Sequence, residues 1–194
     1  GLGDVYKRQV EEARNIVVEN LKVLDIQQSK LQESAGRVLS EDIPALFPMP
    51  RFDNSAMDGF SLRASDTNGA SQSNPVTLKM VSVSSAGKPS EIIVGAGECT
   101  QCMTGAKIPD GADTIVMVED TSGFSDADSV QIFLEAHPGK HIRKQGEEIQ
   151  EGDVLIPKGR CITPGEIGTL ATFGYEKIPV AKKPRIAIFG TGDE

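Results

Sequence analysis

Residues 50–66 read PRFDNSAMDGFSLRASD, and they indicate a polar turn followed by a strand. Asp, Asn and Ser side chains hydrogen-bond to nearby backbone and favour turns, and Gly59 permits a backbone conformation that a side chain would block. After this glycine, apolar and polar residues alternate as in a half-buried strand. Such a strand would hold carboxylates still, as metal or phosphate chemistry requires, although a solvated surface turn explains the same residues. The polar turn residues are Asp53, Asn54, Ser55 and Asp58.

The composition indicates a globular, β-rich protein. The 194 residues suffice for one large domain or two small ones, and 20 Gly and 11 Pro imply many turns. A formal net charge of −8 argues against nucleic-acid binding, which needs a basic face. No run in the sequence approaches the roughly 18 apolar residues of a membrane helix, and no secretory signal pattern is present. Three cysteines, an odd number, argue against a disulfide framework and favour a cytoplasmic, reducing location.

The spacing of apolar residues predicts the secondary structure. Intervals of three and four residues indicate an amphipathic helix over 10–23, and a second, short helix is expected over 33–38. The segment TPGE at 163–166 predicts a helix start, with a capping Thr, Pro at the first helical position and Glu completing a capping box. Short alternating or apolar runs predict strands over 76–83, 114–118, 129–134, 175–180 and 185–189.

Two further motifs each allow a functional and a structural interpretation. Cys99 and Cys102 form a C-x-x-C, but zinc would need two more ligands, and positions three apart in an extended chain face opposite sides, so ordinary packing is favoured. A small basic patch in this acidic chain would steer an anionic cofactor or would simply be solvated. Glu119 would support the site or end a strand in solvent. The basic patch is Lys140, Arg143 and Lys144.

Three blocks then follow in order: PRFDNSAMDGF at 50–60, MTGAKIPDGAD at 103–113 and IRKQGEEI at 142–149. Together they resemble the N-terminal region of molybdopterin molybdenumtransferases, the family that includes the gephyrin E domain. The last residues, KPRIAIFGTGDE at 183–194, look like the entry strand of that family's molybdopterin-binding domain. The resemblance departs from the family at Cys102, where an aliphatic residue is usual, and at Glu148, where Asp is usual.

The resemblance implies a mainly β (α+β) fold with an N-terminal helix, a β-rich platform and an inserted β-rich domain. Residues 1–9 match nothing in the family and are expected to be an appended segment. The helix over 10–25 would pack on the molybdopterin-binding domain, which the chain is expected to lack beyond its first strand at 183–194. Domain I would comprise 26–44 and 153–182, and domain II would be inserted as 45–152.

The family's enzymes insert molybdate into adenylylated molybdopterin and release AMP with a divalent cation, here expected to be Mg²⁺. They are homodimers whose active site is shared between protomers. By resemblance, this chain supplies Asp58, Thr104 and Glu194 as catalytic residues, with Asp58 also the metal ligand. The Thr104 hydroxyl and nearby backbone amides would meet a phosphate or oxyanion. The cofactor-binding residues are expected to be Asn54, Ser55, Gly105 and Arg143.

Two non-enzymatic alternatives stay open at this point. Because gephyrin's E domain also anchors partner proteins, the chain would serve as a binding or scaffold module. Alternatively it would be an inert dimerisation piece, since most of the family's molybdate and pterin contacts lie beyond Glu194. For the same reason the chain alone is expected to have no activity.

Overall fold

The computed structural model describes residues 9–125 and 127–190, which form two compact units. The first unit combines the described residues up to Pro44 with those from Val154 onward, and the second is Ala45–Asp153. The structure is mostly β, as the sequence predicted, and its described residues form two α-helices. Within the described ranges, neither helix is long and apolar enough to cross a membrane.

The core of the first unit is built from two antiparallel strand pairs and a helix. Strand β1 (Ile26–Lys30) pairs with β11 (Lys177–Ala181), and β2 (Ile43–Pro44) pairs with β10 (Val154–Ile156). Helix α2 (Pro164–Thr172) begins where the capping motif predicted, and the Glu166 carboxylate accepts hydrogen bonds from the backbone amide and hydroxyl of Thr163. The core of this unit contains Leu31, Leu39, Ile43, Ile156, Ile162, Leu170, Ile178 and Val180.

The second unit contains a five-stranded sheet in the order β7-β4-β6-β5-β8, in which only β5 and β6 are parallel. A separate antiparallel pair, β3 (Asn54–Ser55) with β9 (Ile142–Arg143), flanks the polar turn. One apolar cluster gathers around Phe60 and Leu62, and a second contains Cys102, Ala106, Ile108 and Ile115. The sheet strands are β4 (Gly59–Leu62), β5 (Val76–Ser84), β6 (Glu98–Cys102), β7 (Thr114–Met117) and β8 (Ser129–Ile132).

The predicted N-terminal helix forms as α1 (Val10–Asn20), three residues shorter than expected. None of its residues is buried among the described residues; Val17 is 60% exposed and Val18 57%. Its packing on a molybdopterin-binding domain therefore stays a prediction. Residues 1–8 of the expected appended segment lie outside the described residues, whereas the Gln9 carbonyl accepts the Ala13 amide at 3.0 Å as the helix begins.

Two secondary-structure predictions were wrong. In place of a helix over 33–38 there is a short 3₁₀ turn (Leu31–Glu33), after which Gly36 adopts φ 73° and its amide bonds to the Ile162 carbonyl, so the chain turns into an extended pairing. Residues 185–189 form no strand, and Ile188 is 92% exposed. Apolar alternation alone does not make a strand, because the backbone also needs a neighbouring strand to bond to, and none in the described chain pairs with this segment.

The two cysteines of the C-x-x-C are packed in two different apolar clusters. Cys99 lies in the cluster around Phe60, and Cys102 lies with Ile115. Both thiols are fully buried, and that burial raises the pKa of Cys99 to about 12 and that of Cys102 to about 11. This is the ordinary packing that the sequence favoured.

Candidate functional site

Asp58 and Thr104 meet because of the register between two strands. Gly59 opens β4 opposite Cys102, the last residue of the antiparallel strand β6, so the residue before one strand lies beside the loop after the other. Only glycine fits at this first position, because a Cβ there would lie 2.0 Å from the Val116 carbonyl oxygen. The Gly in the turn motif thus allows β4 to pack closely against β7 and places Asp58 at the end of the sheet.

The contact between Asp58 and Thr104 consists of two short hydrogen bonds. The Thr104 backbone amide and hydroxyl both donate to Asp58 Oδ1, each at 2.7 Å. These bonds, the backbone bond first, lower the pKa of the Asp58 carboxyl below its usual value, which is already low enough for the group to be ionised at neutral pH. Both residues are exposed, and Oδ2 makes no hydrogen bond to any described residue. One carboxylate oxygen therefore holds the loop, while the other faces solvent.

The loop after β6 is tied to the turn motif by its backbone. The Gly105 amide donates to the Ser55 carbonyl at 2.8 Å, and the Ser55 amide donates to the Ala106 carbonyl at 3.0 Å. Gly105 has φ 79°, a conformation that favours glycine. The amide of Ala106 bonds to the Met103 carbonyl at 2.9 Å. The amides at 104, 105 and 106 are all engaged within the protein, and the expected contact of this loop with a phosphate or oxyanion stays a prediction.

Asn54 and Ser55 use their side chains locally. Ser55 is fully buried, and its hydroxyl donates to the Met57 carbonyl at 2.5 Å. Asn54 is 6% exposed, and its amide donates to the Phe52 carbonyl at 3.2 Å. These bonds shape the turn that leads to Asp58. The expected contact of Asn54 and Ser55 with a cofactor stays a prediction.

A second acidic residue of the turn has a structural role that the sequence did not reveal. Asp53 accepts a hydrogen bond from Lys144 Nζ and another from the Gln145 amide, each at 2.8 Å. Lys144, more than any other group, lowers the pKa of the Asp53 carboxyl. The Asp53 carbonyl also accepts the Ile108 amide at 3.0 Å. Asp53 thereby joins the three blocks of the sequence motif in space, although they lie far apart along the chain.

The remaining predicted residues are placed as follows. Arg143 is exposed on β9, directly across from Asn54. Glu119 is exposed in a 3₁₀ turn (Val118–Asp120), whose Val118 amide donates to the Asp58 carbonyl at 3.0 Å. Glu194 lies outside the described residues.

The site offers one carboxylate for a metal. No group of three or more His, Cys, Asp and Glu side chains among the described residues is arranged to hold an ion. Mg²⁺ does not require such a group, because it keeps several waters and binds through one or two carboxylates together with substrate phosphates. The free Oδ2 of ionised Asp58 fits that mode of binding. It does not fit zinc, which prefers several nitrogen or sulfur ligands.

The chain is similar to known proteins over most of its length. Residues 8–174 match the family described as "MoeA N-terminal region (domain I and II)". The chain is 43% identical over 166 residues to the molybdopterin molybdenumtransferase of Bacillus subtilis strain 168, covering 84% of this chain and 39% of that protein. It is 41% identical over 164 residues to the enzyme of the same name from Staphylococcus aureus strain Mu50, with the same coverages.

A solved structure has the same fold. The crystal structure of the molybdopterin biosynthesis moeA protein from Pyrococcus horikoshii OT3 superposes with a TM-score of 0.82 at 32% identity, over 90% of this chain and 46% of that one. The chain therefore spans less than half the length of these relatives. With a match over residues 8–174, it belongs to the MoeA family and corresponds to the N-terminal region of that family.

Proposed function

We propose that the protein to which this chain belongs takes part in molybdenum cofactor biosynthesis by inserting molybdate into adenylylated molybdopterin with release of AMP. The observation that carries this proposal is the pair of 2.7 Å hydrogen bonds that fix ionised Asp58 to Thr104 in the two most distinctive blocks of the sequence. The names of the relatives support the molybdopterin chemistry. Because the chain covers about two fifths of those relatives, the activity is proposed for the whole protein.

Each residue of the pair has a separate role in this proposal. Asp58 would hold Mg²⁺ beside the substrate through its free oxygen. When bound, Mg²⁺ neutralises charge on the phosphoanhydride and so favours departure of AMP. Thr104 acts through Asp58, because its amide and hydroxyl both bond to that carboxylate and orient it. Fixed, ionised groups are effective because they need no rearrangement as the reaction proceeds.

The same proposal includes the location and the oligomeric state of the active protein. The active protein would be a cytoplasmic homodimer whose site combines this β-rich region with Glu194 and further residues from the partner's molybdopterin-binding domain. The three free thiols are in keeping with a reducing compartment. The 194-residue chain alone would release no AMP catalytically, since it would lack most of the pterin contacts.

AMP release by the full-length protein tests the proposal. Purified protein is incubated with adenylylated molybdopterin and Mg²⁺, with or without molybdate, and AMP is quantified by chromatography. We expect molybdate-dependent AMP release from the full-length protein and none above background from the 194-residue chain. A folded full-length protein that binds adenylylated molybdopterin but releases no AMP would contradict the proposal and favour the scaffold alternative.

A further inference from the structure

The site needs a source of positive charge, and the loop amides do not supply it. The amides at 104, 105 and 106 are all bonded within the protein, and the chain has a net charge of −8. A substrate with a phosphoanhydride is strongly anionic. Cationic side chains near Asp58 and Thr104 would add to the attraction that a bound Mg²⁺ exerts on its phosphates.

Three short extended segments beside the turn place two basic residues on one face. Asn54 is paired with Arg143 on one side and with Lys107 on the other. The Lys107 pairing is flanked by two hydrogen bonds of 3.0 Å, from the Ser55 amide to the Ala106 carbonyl and from the Ile108 amide to the Asp53 carbonyl. Residues directly opposite each other in adjacent strands project to the same face.

The apolar residues of these segments show on which side of them the buried cluster lies. Ala106 and Ile108, on either side of Lys107, belong to the buried cluster around Ile115, and Ile142, next to Arg143, packs against the same cluster. Since side chains alternate along an extended chain, Lys107 and Arg143 point away from the cluster. Both are exposed.

Among the described residues, Lys107 and Arg143 are both unpaired, as Lys140 is, whereas the third member of the basic patch is not. Lys144 is held by Asp53 at 2.8 Å. By contrast, neither the Lys107 nor the Arg143 side chain makes a hydrogen bond or ion pair with any residue in the described ranges. Two cations presented on one face without an acidic partner raise the local positive potential in an otherwise acidic chain.

Their spacing suits one polyphosphate group. Because Asn54 lies between them, the backbones of Lys107 and Arg143 are two strand spacings, or about 10 Å, apart. Both side chains are long enough to reach one phosphate group bound between them. Lys107 is three residues from Thr104, so its Cα lies within about 11 Å of the Thr104 Cα. Phe52, Gly105 and Lys107 are among the residues that line a cavity of about 160 Å³.

We propose that Lys107 and Arg143 together form a phosphate-binding subsite that holds the phosphates of a nucleoside-phosphate-bearing substrate against Asp58 and Thr104. Arg143 supplies a planar fork and Lys107 a mobile point charge. This subsite rests on the proposed function for the identity of the substrate. Its preference for phosphate, however, depends only on the two side chains, and Lys107 was not singled out by the sequence motifs.

Binding of ADP to the full-length protein tests the subsite independently of turnover. The Kd of ADP and of adenosine is measured by calorimetry for the wild type, Lys107→Gln, Arg143→Gln and Lys107→Arg. Lys158→Gln, which removes an exposed charge from the other unit, is the matched control. We expect Lys107→Gln and Arg143→Gln each to weaken ADP binding about fivefold, as for a partly exposed ion pair, with Lys107→Arg near wild type and adenosine binding unchanged.

Turnover separates this proposal from the proposed function. If AMP is released, the loss in Lys107→Gln should appear mainly as a higher KM for adenylylated molybdopterin. If no AMP is released but Lys107→Gln still weakens ADP binding relative to Lys158→Gln, the subsite is supported and the proposed reaction is not. An unchanged Kd for ADP in both Lys107→Gln and Arg143→Gln would overturn the subsite, whatever the turnover.

Discussion

Replacing Asp58 by Asn in the full-length protein separates the chemical role of this residue from its structural one. In the wild type, Oδ1 accepts both hydrogen bonds from Thr104, and Oδ2 is left for the substrate side. The amide oxygen of Asn can accept the same two bonds, although bonds to a neutral acceptor are weaker. The amide nitrogen then replaces Oδ2, so a free anionic acceptor becomes a neutral donor that cannot bind a cation.

The expected result is a large loss of turnover with little loss of stability. Removing one preorganised electrostatic group at a reacting centre typically costs about 10²-fold or more in kcat, and we expect a fall of that size in AMP release. The melting temperature should fall by less than about 3 °C, because the contacts that shape the turn survive. Asp110→Asn, a substitution of the same kind at an exposed position in the same unit, should leave both values near wild type.

Turnover and melting are measured on the same preparations, with AMP release followed by chromatography and unfolding by circular dichroism. Near-normal turnover in Asp58→Asn would refute the role of the free carboxylate oxygen. A loss of activity accompanied by an equally severe loss of stability would instead make Asp58 a structural turn residue.

Three further predictions concern the fold. Gly59→Ala should destabilise the protein by on the order of 3 kcal/mol in chemical denaturation, because the new Cβ would lie 2.0 Å from the Val116 carbonyl oxygen. Gly168→Ala, in a helix with open space around the new Cβ, should instead stabilise it by about 0.5 kcal/mol, and equal effects of the two substitutions would contradict the close packing at Gly59. A thiol reagent at pH 8 should modify Cys161 alone in the native chain and three thiols in denaturant, since burial raises the pKa of the other two. The Thr163 hydroxyl and then Arg160 lower the pKa of Glu166 from 4.5 to about 2, so the stabilisation by this carboxylate is complete above pH 4.5 and is lost toward pH 2. The difference in melting temperature between the wild type and Glu166→Gln should therefore close between pH 4.5 and pH 2. A constant difference over this range would argue against the shift.

The strands of the second unit were predictable because their sequence patterns are local. The predicted strands 76–83 and 114–118 form as β5 and β7 to within one residue, and the capping motif predicts the first residue of α2. The failures arise where the outcome depends on distant residues. The segment after Glu33 turns because Gly36 bonds to Ile162 across the unit, and residues 185–189 have no described strand to pair with.

The candidate site, too, was only partly predictable from the sequence, because its contacts join distant residues. The motifs identified Asp58 and Thr104, but only the register between β4 and β6 shows that they touch. The contacts of Asp53 and the pairing of Lys107 with Asn54 were not predictable, because each joins segments that are distant in the sequence. The bonding of the Thr104 and Gly105 amides was not predictable for the same reason, since their acceptors, Asp58 and Ser55, lie in the distant turn motif.

The central claim is that Asp58 and Thr104 act as one unit, and a double-mutant cycle on AMP release by the full-length protein tests it most directly. kcat/KM is measured for the wild type, Asp58→Asn, Thr104→Ala and the double variant, with melting temperature as the check on folding. If Thr104 acts by orienting Asp58 through the two 2.7 Å hydrogen bonds, Thr104→Ala should cost about tenfold, and the double variant should be no worse than Asp58→Asn within about twofold. A double variant whose loss equals the product of the two single losses would show that the residues act independently and would contradict the account.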